Sequence, residues 1–329
     1  MLQAMDSQTQ TSPANAIPRL GISSCLLGEQ VRFDGGHKRD EFLLNTLGRF
    51  VEWVPVCPEV ELGLGTPRES LRLVATPHGA HLVAPRSGTD HTEPMYAWAR
   101  GRLEELVALN LDGYVLKKDS PSCGLMRVKV YDRNNVPARA GEGIFARALL
   151  DRFPLLPVEE EGRLREPALR ENFIDRVYGY HRWTALLSEP TAAALVAFHA
   201  AHKLTLMAHS PKQQRELGQI VANAGRRRGR ALFDEYGSLF MQALAIKATR
   251  GKHTNVMHHL LGYFKKQLDA TDRGELLESI DSYRRGLVPL VVPLTLFQHH
   301  IRRCDVAAWV HAQVYLNPYP SELMLRNQV

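Results

Sequence analysis

A chain of 329 residues with 44% hydrophobic and 23% charged content carries enough apolar side chain for two globular domains, which excludes wholesale disorder. Its longest apolar stretches fall short of the roughly 18 residues a membrane-spanning helix needs, so no membrane partner is expected. The formal net charge of +6 is unevenly spread, net −2 over residues 1–160 and +8 over residues 161–329, so polyanion binding is expected only of the second half.

In chain order, residues 1–16 are polar, lack a basic start and an apolar stretch, and read as a disordered leader rather than a signal peptide. The expected compartment is therefore the cytoplasm, where thiols stay reduced. The four cysteines are accordingly expected as ligands, nucleophiles or core residues rather than disulfides. Residues 17–160 alternate short apolar runs with Gly/Pro-rich turns. Arg19–Ser24, Phe50–Val56, Gly113–Leu116 and Leu155–Val158 read as buried strands, and Leu71–Ala75 with His81–Ala84 as a hairpin. Met95, Trp98, Ala99, Leu103 and Leu106 recur at helical spacing within Glu93–Leu109. Strands interleaved with helices predict an α/β domain on a largely parallel sheet with flanking helices.

The acidic run Val158–Gly162 reads as a linker, and residues 161–329 as an all-α domain. Helices are expected over Asn172–Leu187, Thr191–Met207, Pro211–Ala224, Ala231–Arg250, Asn255–Leu268, Glu275–Arg284 and Asp305–Tyr315. Ser210–Pro211 supplies a hydroxyl cap and a proline first turn. Gly286–Phe297 is apolar, short and contains two prolines, and reads as buried core.

Three cysteines share one local setting. Cys25, Cys57 and Cys123 each follow an expected strand and sit among Ser, Pro and Gly. In an open α/β sheet ligands bind beyond the carboxyl ends of the strands, so parallel strands would bring these loops to one edge. Residue types alone leave three readings open: core cysteines, a zinc site, or an iron–sulfur cluster. Structural zinc usually shows closely paired ligands, and the chain has no CxxC.

The segments ISSCLLG (22–28), VRFDGGHK (31–38), VCPEVELGLGTPRE (56–69), KKDSPSCG (117–124) and GEGIFARALL (141–150) together resemble the thiouracil desulfidase family. The resemblance runs over roughly residues 18–158 and implies a 4Fe–4S cluster held by Cys25, Cys57 and Cys123, with one iron not ligated by protein. It implies non-redox desulfuration of a small thiolated nucleobase such as 2-thiouracil, with Glu59 at the acid/base position and Ser120 as its hydroxyl partner. Residues 65–69 (GTPRE) depart from the more proline-rich family pattern, which bears on substrate fit. Read from residue type, Glu59 is a turn carboxylate and Ser120 a turn or cap serine. Asp34, His37 and Lys38 in the Gly-rich turn are candidates for the substrate edge. Arg68 is a candidate clamp for a carbonyl or phosphate, or a solvated arginine.

Met207–Lys212, Arg215–Gly218 and Gly262–Lys266 resemble a YbgA-like helical domain, which implies a fold and no activity. Arg226–Arg230 with Lys265 and Lys266 are candidate phosphate contacts for a nucleotide or RNA. His300 and Cys304 are four apart and share a helical face, but a third and fourth ligand are missing. Cys304 is not assigned to the cluster. The expected function is thus an iron–sulfur desulfidase. The rivals are desulfuration of thiolated nucleosides or tRNA bases, and a cluster protein that binds nucleic acid or senses redox state without turnover.

Overall fold

The computed structural model describes residues 17–227, 229–264 and 267–329. The expected leader over 1–16 and three of the candidate phosphate contacts, Arg228, Lys265 and Lys266, lie outside the described residues. In chain order the first half comprises β1 (Arg19–Ser23), β2 (Glu52–Val56), the single turn α1 (Pro58–Glu61), β3 (Arg72–Thr76), β4 (Gly79–Val83), α2 (Thr92–Ala108), β5 (Gly113–Leu116), β6 (Val128–Tyr131), β7 (Pro137–Gly141), α3 (Ile144–Arg152) and β8 (Val158–Glu160).

Four of these strands form a wholly parallel sheet in the order β2-β1-β5-β8. The central strands β1 and β5 are buried almost throughout, as a sheet covered on both faces requires. On one face Ala99, Leu103 and Leu106 of α2 and Phe145 and Leu149 of α3 pack against Val56, Tyr114 and Leu116. On the other, Leu43 and Leu47 meet Leu20, Ile22 and Val115, together with Phe173, Ile174 and Val177 from the next helix. A smaller mixed sheet, β4-β3-β6-β7, holds the expected β3/β4 hairpin, with β3 parallel to β6.

The acidic run is not a linker. Val158–Glu160 is the edge strand β8, parallel to β5, and Leu155 and Leu156 precede it instead of forming it. Glu159, Glu160 and Glu161 are all buried, which is tolerable only because each carboxylate has partners. Glu159 accepts from Arg163 at 2.7 Å, Glu160 from the Leu125 amide at 2.8 Å, and Glu161 from Lys117 Nζ at 2.5 Å and the Lys118 amide at 2.7 Å.

The second half is helical: α4 (Pro167–Leu186), α5 (Ala192–His209), α6 (Pro211–Ala222), α7 (Arg230–Ala245), α8 (Arg250–Gly262), α9 (Ala270–Arg285), α10 (Val291–Arg303) and the single turn α11 (Ala308–His311). Local caps set the starts: Thr191 accepts from the Ala194 amide, Ser210 from Gln213 and Asp269 from Asp272. α7 ends at Ala245, before the expected Arg250, because Ile246 is extended and Thr249 caps α8. The helix expected over Asp305–Tyr315 shrinks to α11 and a 3₁₀ turn. α4 is shared between the halves. Its Phe173 and Val177 face the parallel sheet, while Gly179 fits so closely against Leu244 of α7 that a Cβ there would stand 2.6 Å from Leu244 Cδ1. Leu323 and Leu325 return near the end of the chain to the sheet-side core. No helix among the described residues is long and apolar enough to cross a membrane.

Candidate active site

The register of the parallel sheet decides where the three cysteines lie. Ser23 of β1 stands opposite Val56 of β2, and Ile22 opposite Val115 of β5. The chain therefore leaves all three strands at one edge. Cys25 enters a 3₁₀ turn, Cys57 caps α1, and Cys123 sits in the turn after β5. All three wall one cavity of about 420 Å³, together with Glu59, Ser120 and Lys38.

Each loop is held by its own contacts. The Cys57 amide donates to Glu61 Oε1 at 3.0 Å. Ser120 Oγ accepts from the Ser122 and Cys123 amides at 3.3 and 3.1 Å, shaping the Cys123 turn. The first amides of α3 donate to the Pro121 and Ser122 carbonyls. Gly143 permits that approach, since a Cβ there would lie 2.4 Å from the Ser122 carbonyl oxygen. Glu160 and Glu161 clamp the same turn from β8 through the bonds at Leu125, Lys117 and Lys118.

Burial pushes the Cys25 thiol up to about 11, partly offset by the nearby Lys117 cation. It also raises Cys57, and raises Cys123 well above the ordinary thiol value. Left to themselves these thiols are protonated and poor nucleophiles near neutral pH. A bound metal cation reverses that by displacing the proton.

Glu59 is fixed from both sides. Arg68 donates to its Oε2 from Nε at 3.0 Å and Nη2 at 2.6 Å, and the Ser122 hydroxyl donates to its Oε1 at 2.9 Å. The Arg68 side chain is only 6% exposed, so it is not a solvated arginine, and its fork is taken up by Glu59. Ser122 is the residue that local spacing does not single out: Ser120 and Ser122 are equally plausible by type, and only the fold shows which one touches the carboxylate. Among the other candidates, Lys38 reaches the cavity wall and its amide donates to the Cys25 carbonyl at 2.8 Å. Asp34 is not among the residues that wall the cavity. Its carboxylate closes the turn by accepting from the Gly36 amide at 3.1 Å, which with Arg32 holds its acid below the usual range. His37 accepts from the Arg39 amide at 3.3 Å in the same exposed turn.

Two family models match this architecture, "2-thiouracil desulfurase" over residues 20–161 and a protein family of unknown function, DUF1722, over residues 203–320. The first half of the chain is a domain of the 2-thiouracil desulfurase family. The second half is a YbgA-like domain: the uncharacterized protein YbgA of Escherichia coli K12 is 33% identical over 157 residues, 46% of this chain and 90% of YbgA. The uncharacterized protein YbbK of Bacillus subtilis 168 is 32% identical over 108 residues, 31% of this chain and 71% of YbbK. Among solved structures, a 4Fe–4S-dependent thiouracil desulfidase, TudS, is 34% identical and covers 47% of this chain and 97% of its own, at a TM-score of 0.38.

The described residues of the helical half offer no comparable constellation. No group of three His, Cys, Asp or Glu among the described residues closes around a single ion. His300 is buried in α10, and Cys304, just past its end, packs against the neighbouring apolar core. Arg227 pairs with Glu235 at 2.5 Å and Arg230 with Asp234 at 3.6 Å, while Arg226 is exposed.

The Lys117–Glu161 pair bears on stability as well as on the site. Both side chains are largely buried, 16% and 10% exposed. Glu161→Gln is expected to cost about 2–3 kcal/mol, because it leaves the Lys117 ammonium without its counter-charge. Urea unfolding of the metal-free protein reads this directly; an unchanged midpoint would show that the clamp is unimportant.

Proposed function

We propose that this protein removes sulfur from a thiolated pyrimidine such as 2-thiouracil in the cytoplasm, using a 4Fe–4S cluster held by Cys25, Cys57 and Cys123 with one iron free of protein ligands. The convergence of these three thiols with Glu59 on the wall of one cavity carries the reading. Three soft thiolate donors on the wall of one cavity suit an iron–sulfur cluster. When bound, the cluster supplies a soft Lewis-acidic iron that attracts the thiocarbonyl sulfur and polarises the C=S bond.

The chain's own residues handle the protons. The net change is thiocarbonyl plus water giving carbonyl plus hydrogen sulfide, with no electrons exchanged. Glu59 takes a proton from the water that attacks the carbon, and its orientation is set by Arg68 and Ser122. Ser120 accepts two backbone amides, which leaves its own O–H to donate into the cavity. Lys38 and Arg32 on the wall favour substrates that carry negative charge. That observation favours a second substrate form, the thiolated base within a nucleotide or RNA.

The test is sulfide release, with matching formation of the oxo-base, by anaerobically reconstituted protein supplied with 2-thiouracil, a thiolated nucleotide or thiolated tRNA. Glu59→Gln is expected to lower turnover by roughly 10²- to 10⁴-fold while iron content stays at the wild-type level. Full turnover in that variant would remove Glu59 from the mechanism. Sulfide release from none of the three substrates would sink the proposal.

A further inference from the structure

Phe33 is out of place for a residue of its type. Among the described residues, which hold all eleven phenylalanines of the chain, it is the one exposed, at 40%. A ring left 40% exposed leaves a sizeable apolar area in water that the fold does not use. Yet its position is not loose. The Phe33 carbonyl accepts from the Arg68 amide at 2.9 Å, the same residue whose guanidinium grips Glu59. One residue back, the Arg32 carbonyl accepts from the Gly35 amide at 2.9 Å and the Arg32 amide donates to the Gly36 carbonyl at 3.2 Å. The Val31 carbonyl accepts from Arg68 Nη1 at 2.9 Å and lies 3.8 Å from the Cys57 sulfur. A pinned backbone thus holds an exposed aromatic ring on the wall of the cavity that contains all three cysteines. The Arg32 guanidinium lies over one face of the ring, 5.4 Å from its centroid, and helps to fix the ring's orientation.

We infer that Phe33 is the substrate-stacking residue of this site, a platform for one face of a planar heterocycle whose exocyclic sulfur points to the cysteines. The inference rests on the desulfuration reading and narrows it to aromatic thiocarbonyl substrates. Stacking acts on ring recognition, so it sets affinity for the base and leaves proton transfer at Glu59 alone. An aromatic side chain under a base contributes an amount that corresponds to roughly 5- to 100-fold in binding.

The experiment compares wild type, Phe33→Ala and Phe33→Tyr for iron content, for KM and kcat with 2-thiouracil, and for calorimetric binding of uracil. Phe33→Ala is expected to keep its iron, raise KM by roughly 5- to 100-fold and weaken uracil by a similar factor, with kcat little changed. Phe33→Tyr is expected to restore both. Thioacetamide, which has a thiocarbonyl and no ring, is expected to be processed equally by all three. Equal uracil affinity and equal KM in wild type and Phe33→Ala, or no uracil binding by wild type, would overturn the stacking role. Phe33-dependent uracil binding without any sulfide release would leave stacking intact and defeat only the desulfuration reading.

Discussion

Replacing any one of Cys25, Cys57 or Cys123 with alanine is expected to take the anaerobically reconstituted protein from about four irons per chain to less than about one. The loss should be nearly complete because no neighbouring side chain can substitute. Glu59, a carboxylate on the cavity wall, is already held by Arg68 and Ser122. Lys117 faces the site as a cation and is committed to Glu161. Cys304→Ala is the matched control. That residue packs against the helical core and is not part of the cavity wall, so its removal should leave the iron in place. Each alanine variant loses only one thiol group, so the chain should still fold, which far-ultraviolet circular dichroism checks. Four irons retained in any of the three cavity variants would show that the cysteine concerned is a core residue.

The cavity was readable in advance to the extent that it depends on chain order. Cys25, Cys57 and Cys123 each follow an apolar run bounded by turn residues, and parallel strands must release such loops at one edge. β1 lies between β2 and β5, so the three exits become neighbours. What local pattern could not show is which polar groups meet across the sheet. Glu160 and Glu161 look like part of a solvated linker within a ten-residue window, because their partners Lys117, Lys118 and Leu125 are more than 30 residues away. Arg68 reads as solvent-exposed because its nine-residue reach back to Glu59 depends on how the turn between them folds. β6 and β7 also escape pattern reading, since Pro137–Gly141 is largely exposed and carries no apolar alternation. In the helical half, caps such as Thr191 and Ser210 mark starts well. The last expected helix fails because its segment packs as short turns against α5 and α10.

Stability is expected to fall steeply as pH drops from about 6.5 towards about 3, and two buried histidines of the helical half are the main cause. His202 is neutral by geometry. Its Nδ1 donates to the Phe198 carbonyl at 2.8 Å, and its Nε2 accepts from Arg182 at 3.2 Å. A second proton would break the Arg182 bond and place two cations together. Burial, followed by the Arg182 charge, holds the His202 value down to about 3. His253, bonded to the Tyr315 hydroxyl at 2.9 Å, is likewise held down to about 3 by burial and then by the Arg326 charge. Between the ordinary histidine value of 6.5 and about 3, the unfolded chain takes up a proton at each site that the folded chain refuses. Folding free energy is therefore lost at up to about 1.4 kcal/mol per pH unit for each histidine across that window. His209 acts differently. Its Nδ1 meets the Ile246 carbonyl and its Nε2 meets Asp175, so its value is raised; its contribution is complete below 6.5 and is lost only as pH rises through the raised value. Asp175, lowered by His209 despite its burial, adds to the acid loss below 3.8. Glu171, raised by burial, opposes it as pH falls through the raised value towards 4.5. Urea midpoints of the metal-free protein at pH 7, 6, 5 and 4 read the slope without interference from acid-labile sulfide. His202→Gln should remove about half of the histidine slope while lowering stability at pH 7. A midpoint that stays level from pH 7 to pH 4 in the parent protein would mean that these two rings are protonated, or solvated, in the folded chain.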